Sequence, residues 1–472
     1  MDRITTKDTP HHINETITVF GWIHTRRDHG KITFFDLRDR WGLLQIVATD
    51  QTNGPVKDIR PEYVVKLTGT IVKRPEKLIN PGLVTGTVEM QAESIEVLNA
   101  AKTPPFEVDK DTSNVDEETR LKYRYLDLRS VRMTQHMINR HRVAQYIRGF
   151  LADRDFLEID TPILTKSTPE GARDFIVPSR LQPGKFYALP QSPQQYKQLL
   201  MVAGLDRYFQ LPRCFRDEDP RADRAYGEFT QLDLEMSFVT QEDILVLAEE
   251  LFTTLVEKLF PEKRITTKPW PRLSHKEAME KYGTDKPDLR NDKSNPNELA
   301  FAWTLDFPLF TEQTKEDFFH GSGGASFAPS HHMFTAPHPD DVPLLDTDPS
   351  KVRGLQHDMV LNGYEVGGGS IRIHQAEVQQ KIFNLIGFSK EQSASFNHML
   401  EAFTYGVPPH GGIAPGFDRL LMVLAGEQSI REIIPFPAIA SGATAVLDAP
   451  APISDEQLKD AHIAVRLSQT SR

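Results

Sequence analysis

The chain has 472 residues, 39% of them hydrophobic and 26% charged, with a formal net charge of −11. That length holds two or three domains with sizeable cores, and the acidic balance excludes a protein that grips nucleic acid over its whole surface. A single cysteine, Cys214, excludes an internal disulfide or a cysteine-cluster zinc site, and no segment approaches the ~20 apolar residues of a membrane span, so a cytoplasmic protein without a membrane partner is expected.

Residues 1–102 read as short alternating strands, TITVFGWIHT, KITFFDLRD, GLLQIVAT, EYVVKLTGTIVKR and TVEMQAESIEVLN, separated by turns. Such a series fits a small Greek-key barrel of the OB type, which binds single strands by stacking bases on exposed aromatics. Successive strand side chains face opposite ways, so one ring of Phe34-Phe35 points outward. Within Gly21–Arg40, Arg26, Arg27, Lys31, Arg38 and Arg40 outnumber Asp28, Asp36 and Asp39, a local surplus suited to phosphates. Residues 103–135, with Pro104-Pro105 and many acids, read as a linker or hinge.

From 136 to 445 helices alternate with strands, an α+β pattern. Arg142–Pro162 is expected to be a long amphipathic helix running into a strand that Pro162 ends. Cys214 reads as a small buried filler. Arg216–Phe238 reads as one hairpin: two strands flank the charged loop Asp217–Gly227, and the second alternates Phe229, Gln231, Asp233 and Glu235 on one face. In it Arg216 is placed to fork onto a phosphate, Phe229 to stack on a base, and Glu218 to accept from an exocyclic amine. The Pro/Gly/Asp-rich stretches 262–298 and 315–350 read as surface loops. Gly416-Phe417-Asp418-Arg419 opens an apolar helix, placing Arg419 at its anion-binding end. Residues 446–472 form a C-terminal extension with no assigned role.

Beside these segments stand RYLDLR (Arg124–Arg129), TPEGARDF (Thr168–Phe175), ALPQSPQQYKQLLM (Ala188–Met201), NGYEVGGGSIRIH (Asn362–His374) and YGVPPHGGIAPGFDR (Tyr405–Arg419). In this order the chain resembles the bacterial-type aspartyl-tRNA synthetases, a group of the class II aminoacyl-tRNA synthetases, over nearly its whole length. The resemblance implies an OB-fold anticodon domain followed by a class II catalytic domain on an antiparallel sheet. It also implies a departure, since the large inserted domain usual in these enzymes is reduced to a short loop near 290–300, NDKSNPNEL.

The implied activity joins L-aspartate to tRNA with ATP and Mg2+, through an aspartyl-adenylate. By the resemblance, Arg216 and Arg419 are catalytic. Glu170, Ser192, Gln194, Lys197, Arg216, Asp233, His331, His332 and Arg372 bind aspartate, with Lys197 and Arg372 bracketing its side-chain carboxylate. Arg216, Asp217, Glu218, Phe229, Gln231, Glu365, Gly416, Phe417, Asp418 and Arg419 bind ATP, and Asp358 and Glu365 ligate the metal. Gly367-Gly368-Gly369 lets backbone approach the ligand. Arg26, Phe34 and Gln45 hold the anticodon. The hairpin loop is one residue longer than the family's usual form, which leaves a nucleotide contact near Ala225–Tyr226 unplaced.

His29 resembles relaxed enzymes that charge both tRNA(Asp) and tRNA(Asn), whereas Lys77 does not, and the balance leans to the relaxed form. That form links the enzyme to an amidotransferase, and the family implies a homodimer. The alternatives are a strictly discriminating enzyme, an asparaginyl- or lysyl-tRNA synthetase, a tRNA-independent asparagine synthetase, and a non-catalytic tRNA- or single-strand-binding relative. A lysine substrate would set like charge against Arg372 and Lys197, and asparagine would leave both cations unpaired.

Overall fold

The structure, a computed structural model, describes residues 3–168, 171–313, 325–439 and 441–466. The chain divides into two compact units, Met1–Gln135 and His136–Arg472.

In the first unit the five expected strands form a closed barrel, β1 (Thr16–His29), β2 (Ile32–Asp39), β3 (Gly42–Thr49), β4 (Val64–Lys73) and β5 (Val88–Asn99), in the order β1-β2-β3-β5-β4. Alternation sets the core: Val19, Ile23, Phe35, Leu37, Leu44, Ile46, Leu67 and Ile71 point inward and are buried. Phe35 is fully buried while Phe34 stands outside on a half-exposed face, as the doublet required.

The stretch 103–135 has structure of its own. Helices α1 (Glu117–Lys122) and α2 (Arg124–Asp127) bury Arg124 and Asp127 as a pair at 2.6 Å, and Thr112 donates to the same carboxylate. Arg129 reaches Glu62 on the barrel at 2.6 Å, so this segment packs on the barrel.

The second unit is built on an eight-stranded sheet. In chain order its strands are β6 (Leu157–Glu158), β7 (Arg207–Gln210), then, after a hairpin of β8 (Arg213–Arg216) and β9 (Gly227–Thr230), β10 (Asp233–Ser237), β11 (Arg272–Ser274), β12 (Phe301–Leu305), β13 (Gln356–Leu361), β14 (Tyr364–Ile371) and β15 (His410–Pro415). The order across the sheet is β11-β12-β13-β14-β15-β10-β7-β6, antiparallel except for the outermost strand at each edge. Helices α3 (Val131–Ala152), α4 (Gln241–Leu259) and α5 (Phe417–Ala425) bury Val143, Ile147, Leu251, Phe252, Leu421 and Met422 in one core with Leu234, Met359 and Ile413 of the sheet. Among the described residues no helix is long and apolar enough to cross a membrane.

Several local expectations are corrected. The helix expected at Arg142–Pro162 starts at Val131 and stops at Ala152, because no breaker interrupts the earlier residues and Asp155 turns the chain with φ +63°. Its strand ends at Glu158, short of Pro162. The strand expected through Phe229–Glu235 breaks at Gln231-Leu232, where Leu232 N–H bonds to Pro415 and the chain passes from the hairpin into the sheet.

Neither Pro/Gly/Asp-rich stretch is only surface. Trp270 is buried and stacks on Phe301 at 4.2 Å, and Met333 and Phe334 are buried in a second core with Phe383 and Phe396. Single apolar residues anchor these stretches, and polar composition averages them away.

Candidate functional site: a nucleotide-sized cavity above a buried charge cluster

The β8–β9 hairpin, β14 and the start of α5 enclose a cavity of about 360 Å³. Arg216, Glu218, Phe229, Gln231, Glu365, Gly367, Gly368, Gly416, Asp418 and Arg419 line it, together with Arg221, Asp223, Arg224 and Lys286. The Arg216 guanidinium lies 5.1 Å from the Phe229 ring centroid and donates to the Gln191 carbonyl at 3.3 Å. Arg419, on the first turn of α5, donates to the carbonyls of Asp223 (3.1 Å) and Glu365 (2.6 Å) and pairs with the Asp223 carboxylate at 3.4 Å.

Phe417 and Asp217 do not line this space, and several of the residues that do are already engaged by other groups. Asp418 takes the Thr230 N–H at 2.7 Å and pairs with Arg140, so it fastens α5 to the hairpin. Phe417 is 2% exposed and belongs to the core, with the Arg140 guanidinium 4.9 Å above its ring. Asp217 turns away to Arg173 (3.5 Å) and the Tyr226 hydroxyl (3.3 Å). Glu218 is engaged by Arg224 at 2.7 Å, so its acceptor capacity is shared with a cation. Gln231 accepts from the buried Cys214 thiol at 3.1 Å, which gives that filler residue an orienting contact.

A second group of charges is buried beside the cavity. Lys197 donates to Asp233 at 2.7 Å and lies 3.5 Å from Glu235; Arg372 donates to Glu235 at 2.9 and 3.3 Å and to Ser370 at 2.7 Å. Burial pushes the Glu235 carboxyl up, but Arg372 and Lys197 outweigh it and hold Glu235 below its ordinary value. Two cations therefore meet two carboxylates, and among the described residues Asp233 Oδ2 accepts no hydrogen bond within normal distance, although the Tyr208 hydroxyl lies near this carboxylate.

A buried carboxylate oxygen without a donor is costly, and an ammonium group would satisfy it. Gln194 is buried and donates to Gln198 at 3.1 Å, while Ser192 lies on a neighbouring cavity of about 270 Å³. His331 opens onto the space between: its Nε2 is 3.3 Å from where a Cβ of Gly368 would sit. The residue keeps an exposed edge, and desolvation, then Arg372, Arg216 and Lys197, push its pKa down from the ordinary value. His332 packs against Phe334 at 4.9 Å. Glu170 lies outside the described residues.

Asp358 and Glu365 come from adjacent strands β13 and β14, and their carboxylate oxygens both approach Gly368. Burial and then the Glu365 charge raise the Asp358 pKa well above its ordinary value. Neither carboxylate forms an ion pair among the described residues, so the donor set suits a hard divalent cation. Among those residues no cluster of three or more His, Cys, Asp or Glu side chains could hold a metal. The glycine run serves packing as well as access. A Cβ on Gly367 or Gly369 would strike the neighbouring strand, at 2.9 Å from Pro415 Cα and 2.2 Å from the Gly412 carbonyl, and only Gly368 faces the acids.

On the barrel, Phe34 pairs across the strands with Arg27 and Val47, and Gln45 lies on the same outer face, bonded to Glu89 at 3.0 Å. Arg26 pairs with Phe35, so it faces the other side and closes the barrel mouth through the carbonyls of Lys57 and Ile59, both at 2.8 Å. Arg38 is withdrawn from any phosphate, buried against Glu62 at 2.7 Å. The exposed His29 touches the Phe34 ring edge at 5.8 Å, and Lys77 is exposed on a short turn of helix, Glu76–Leu78.

Glu235, Asp223, Arg140 and Lys286 were missed as site residues. For Glu235 a signal existed, since it continues the face that holds Asp233.

Residues 116–440 match the model of the class II tRNA synthetases (D, K and N), and residues 17–98 match an OB-fold nucleic acid binding domain. The chain belongs to the class II tRNA synthetases. An aspartate–tRNA(Asp/Asn) ligase of Rubrobacter xylanophilus is 42% identical over 98% of this chain and 96% of its own length. An aspartate–tRNA ligase of Geobacillus kaustophilus is 39% identical over 97% of each. The first alignment spans 588 positions against the 472 residues here, so a long stretch of that synthetase has no counterpart in this one. The fold is that of asparaginyl-tRNA synthetase from Pyrococcus horikoshii, solved with asparaginyl-adenylate (TM-score 0.73, 22% identity, 93% of this chain and 98% of that one). It is also that of aspartyl-tRNA synthetase from Entamoeba histolytica (TM-score 0.70, 23% identity, 93% and 91%).

Proposed function

We propose that this synthetase activates L-aspartate with ATP and transfers it to tRNA(Asp) and also to tRNA(Asn). The observation that carries the choice of amino acid is the buried group Lys197–Asp233/Glu235–Arg372, with one acceptor oxygen left for an ammonium. Aspartate supplies that ammonium to Asp233, with Ser192 and Gln194 beside it. Its side-chain carboxylate meets Lys197 and Arg372, already held in place by Glu235 and Asp233.

In the first step an α-carboxylate oxygen attacks the α-phosphorus of ATP and pyrophosphate leaves. The nucleophile is already ionised, so positioning and charge neutralisation are what the protein supplies. Arg216 holds the α-phosphate and the attacking carboxylate, Arg419 meets the terminal phosphate, and Phe229 covers one face of adenine. Asp358 and Glu365 would hold Mg2+, which when bound offsets the polyphosphate charge. In the second step the terminal ribose hydroxyl of tRNA attacks the carbonyl carbon, and AMP leaves as the ester forms. The barrel holds the anticodon, with Phe34 as the stacking surface.

The domain reading follows: barrel 1–102, hinge 103–135, catalytic domain 136–445 and extension 446–472, in a cytoplasmic homodimer. The edge strand β6 and its surroundings expose Leu157, Ile163, Leu164, Ile176 and Phe186, an apolar surface that supports pairing. Aspartyl-tRNA(Asn) would be the substrate of an amidating enzyme. Aspartate-dependent ATP–pyrophosphate exchange followed by charging of purified tRNA(Asp) and tRNA(Asn) transcripts tests the reading. Charging of both at comparable rates is expected; charging of tRNA(Asp) alone would make the enzyme strict, and exchange with asparagine but not aspartate would overturn the substrate.

A further inference from the structure

On the barrel unit one indole gathers three cations. The guanidinium of Arg40 lies 4.5 Å from the Trp41 ring centroid, the Lys7 ammonium 5.7 Å and the Arg3 guanidinium 5.9 Å. All three cations are exposed, and none forms an ion pair among the described residues. Three like charges round one ring repel one another, and in a chain of net charge −11 such a grouping is not an average of the surface.

The patch is also built. Asp39, nearly buried, accepts from Thr6 N–H (2.8 Å), Thr6 Oγ1 (2.6 Å) and Trp41 N–H (2.8 Å). It thereby bolts the helical turn Thr6–His11, which carries Lys7, to the turn between β2 and β3, which carries Arg40 and Trp41. The two acids on these elements are both committed, Asp39 to those three donors and Asp8 to Thr5. Cation–π contact holds the charged heads over the ring in advance, which lowers the ordering cost of binding.

We propose that Trp41, Arg40, Lys7 and Arg3 form a second tRNA contact, a clamp for backbone phosphates outside the anticodon loop. It rests on the reading that this barrel binds tRNA. Trp41 stands in the turn beyond the end of β2, and the five residues of strand from Phe34 to Asp39 span roughly 16 Å, so the clamp meets nucleotides other than those stacked on Phe34. Phosphate recognition carries no sequence information, so the clamp strengthens tRNA(Asp) and tRNA(Asn) alike. Trp41 is a positioning residue here, and the cations make the contact.

The test is the double substitution Lys7→Gln/Arg40→Gln in the full-length enzyme, measured for charging of both transcripts at several salt concentrations. The KM for each tRNA is expected to rise roughly tenfold, with the slope of log affinity against log salt shallower by about 1.5, for two lost phosphate contacts. ATP–pyrophosphate exchange without tRNA stays unchanged, which certifies folding. Trp41→Leu releases the cations and reproduces part of the KM effect, whereas Trp41→Phe rescues it. An unchanged tRNA KM and salt slope in the double variant overturns the clamp. Phe34→Ala separates the two readings: if it too leaves the KM unchanged, the barrel assignment itself fails, and if it raises the KM, only the clamp does.

Discussion

In the catalytic unit Lys197 and Arg372 are 1% and 2% exposed and each is locked to a carboxylate, whereas on the barrel Lys66 and Glu96 face each other across β4 and β5 with 42% and 62% of their side chains in water. Charges taken out of water are expensive unless each has a partner, so the buried group is fixed in number and geometry. Solvated charges are cheap to place and to lose. The first arrangement suits discrimination of a small charged substrate. The second suits a long polyanion met at many weak points.

Removing one partner from the buried group should have the largest effect. Glu235→Ala leaves Arg372 and Lys197 without the carboxylate between them, and the cost is expected to be ~3–5 kcal/mol of stability. Urea denaturation measures it, and a loss below ~1 kcal/mol would mean that the pocket is wetter than its burial implies. Asp233→Asn is smaller in reach, because shape is kept while the acceptor charge is lost. A hydrogen bond to a charged group is worth ~1.5–3 kcal/mol, so the KM for aspartate should rise about 10- to 100-fold. An unchanged aspartate KM would remove Asp233 from the substrate, and the tRNA KM serves as the internal control.

Acid should find the same buried region. His357 is fully buried, and desolvation, then Arg372 and His331, push its pKa down to about 3, with Glu235 opposing. Its folded pKa lies below the ordinary 6.5, so the folded state favours the neutral ring. The stability this contributes is complete above about pH 6.5 and is lost as pH falls toward 3, by up to ~1.4 kcal/mol per pH unit. His357→Asn should flatten the pH dependence of the denaturation midpoint between pH 6 and 4 by about one proton. A profile identical to that of the parent would show that this ring does not govern acid sensitivity.

How far the sequence reached depends on the same contrast. The barrel was legible strand by strand because period-two alternation is a local signal, and Phe34 and Phe35 fell on opposite faces as alternation demands. The cavity-lining roles of Arg216, Phe229, Gln231, Glu365 and Arg419 were legible as residue types in spaced motifs. What these side chains hold was not: Arg372 and Glu235 are 137 positions apart, and only the β10–β15–β14 order brings them to 2.9 Å. Arg38 shows the converse failure. Counted with its neighbours it looked like a phosphate ligand, yet its partner Glu62 lies on a different segment and buries it. Trp270 and Phe334 escaped because a run rich in proline, glycine and aspartate hides single anchors.

The smallest effect belongs to the barrel pair and sharpens the comparison most. Lys66 and Glu96 lie at 3.2 Å, directly opposite across an antiparallel ladder, a favourable geometry for an exposed pair. A double-mutant cycle with Lys66→Gln and Glu96→Gln should nevertheless give a coupling of no more than ~1 kcal/mol. In about 1 M salt, where the Debye length falls to ~3 Å, that coupling should vanish. The corresponding cycle on Lys197 and Asp233 should be several times larger and hardly change with salt, because ions cannot enter the space between two groups that water has already left. If salt weakened both couplings equally, the pocket would be hydrated, and burial would no longer explain how this site chooses its amino acid.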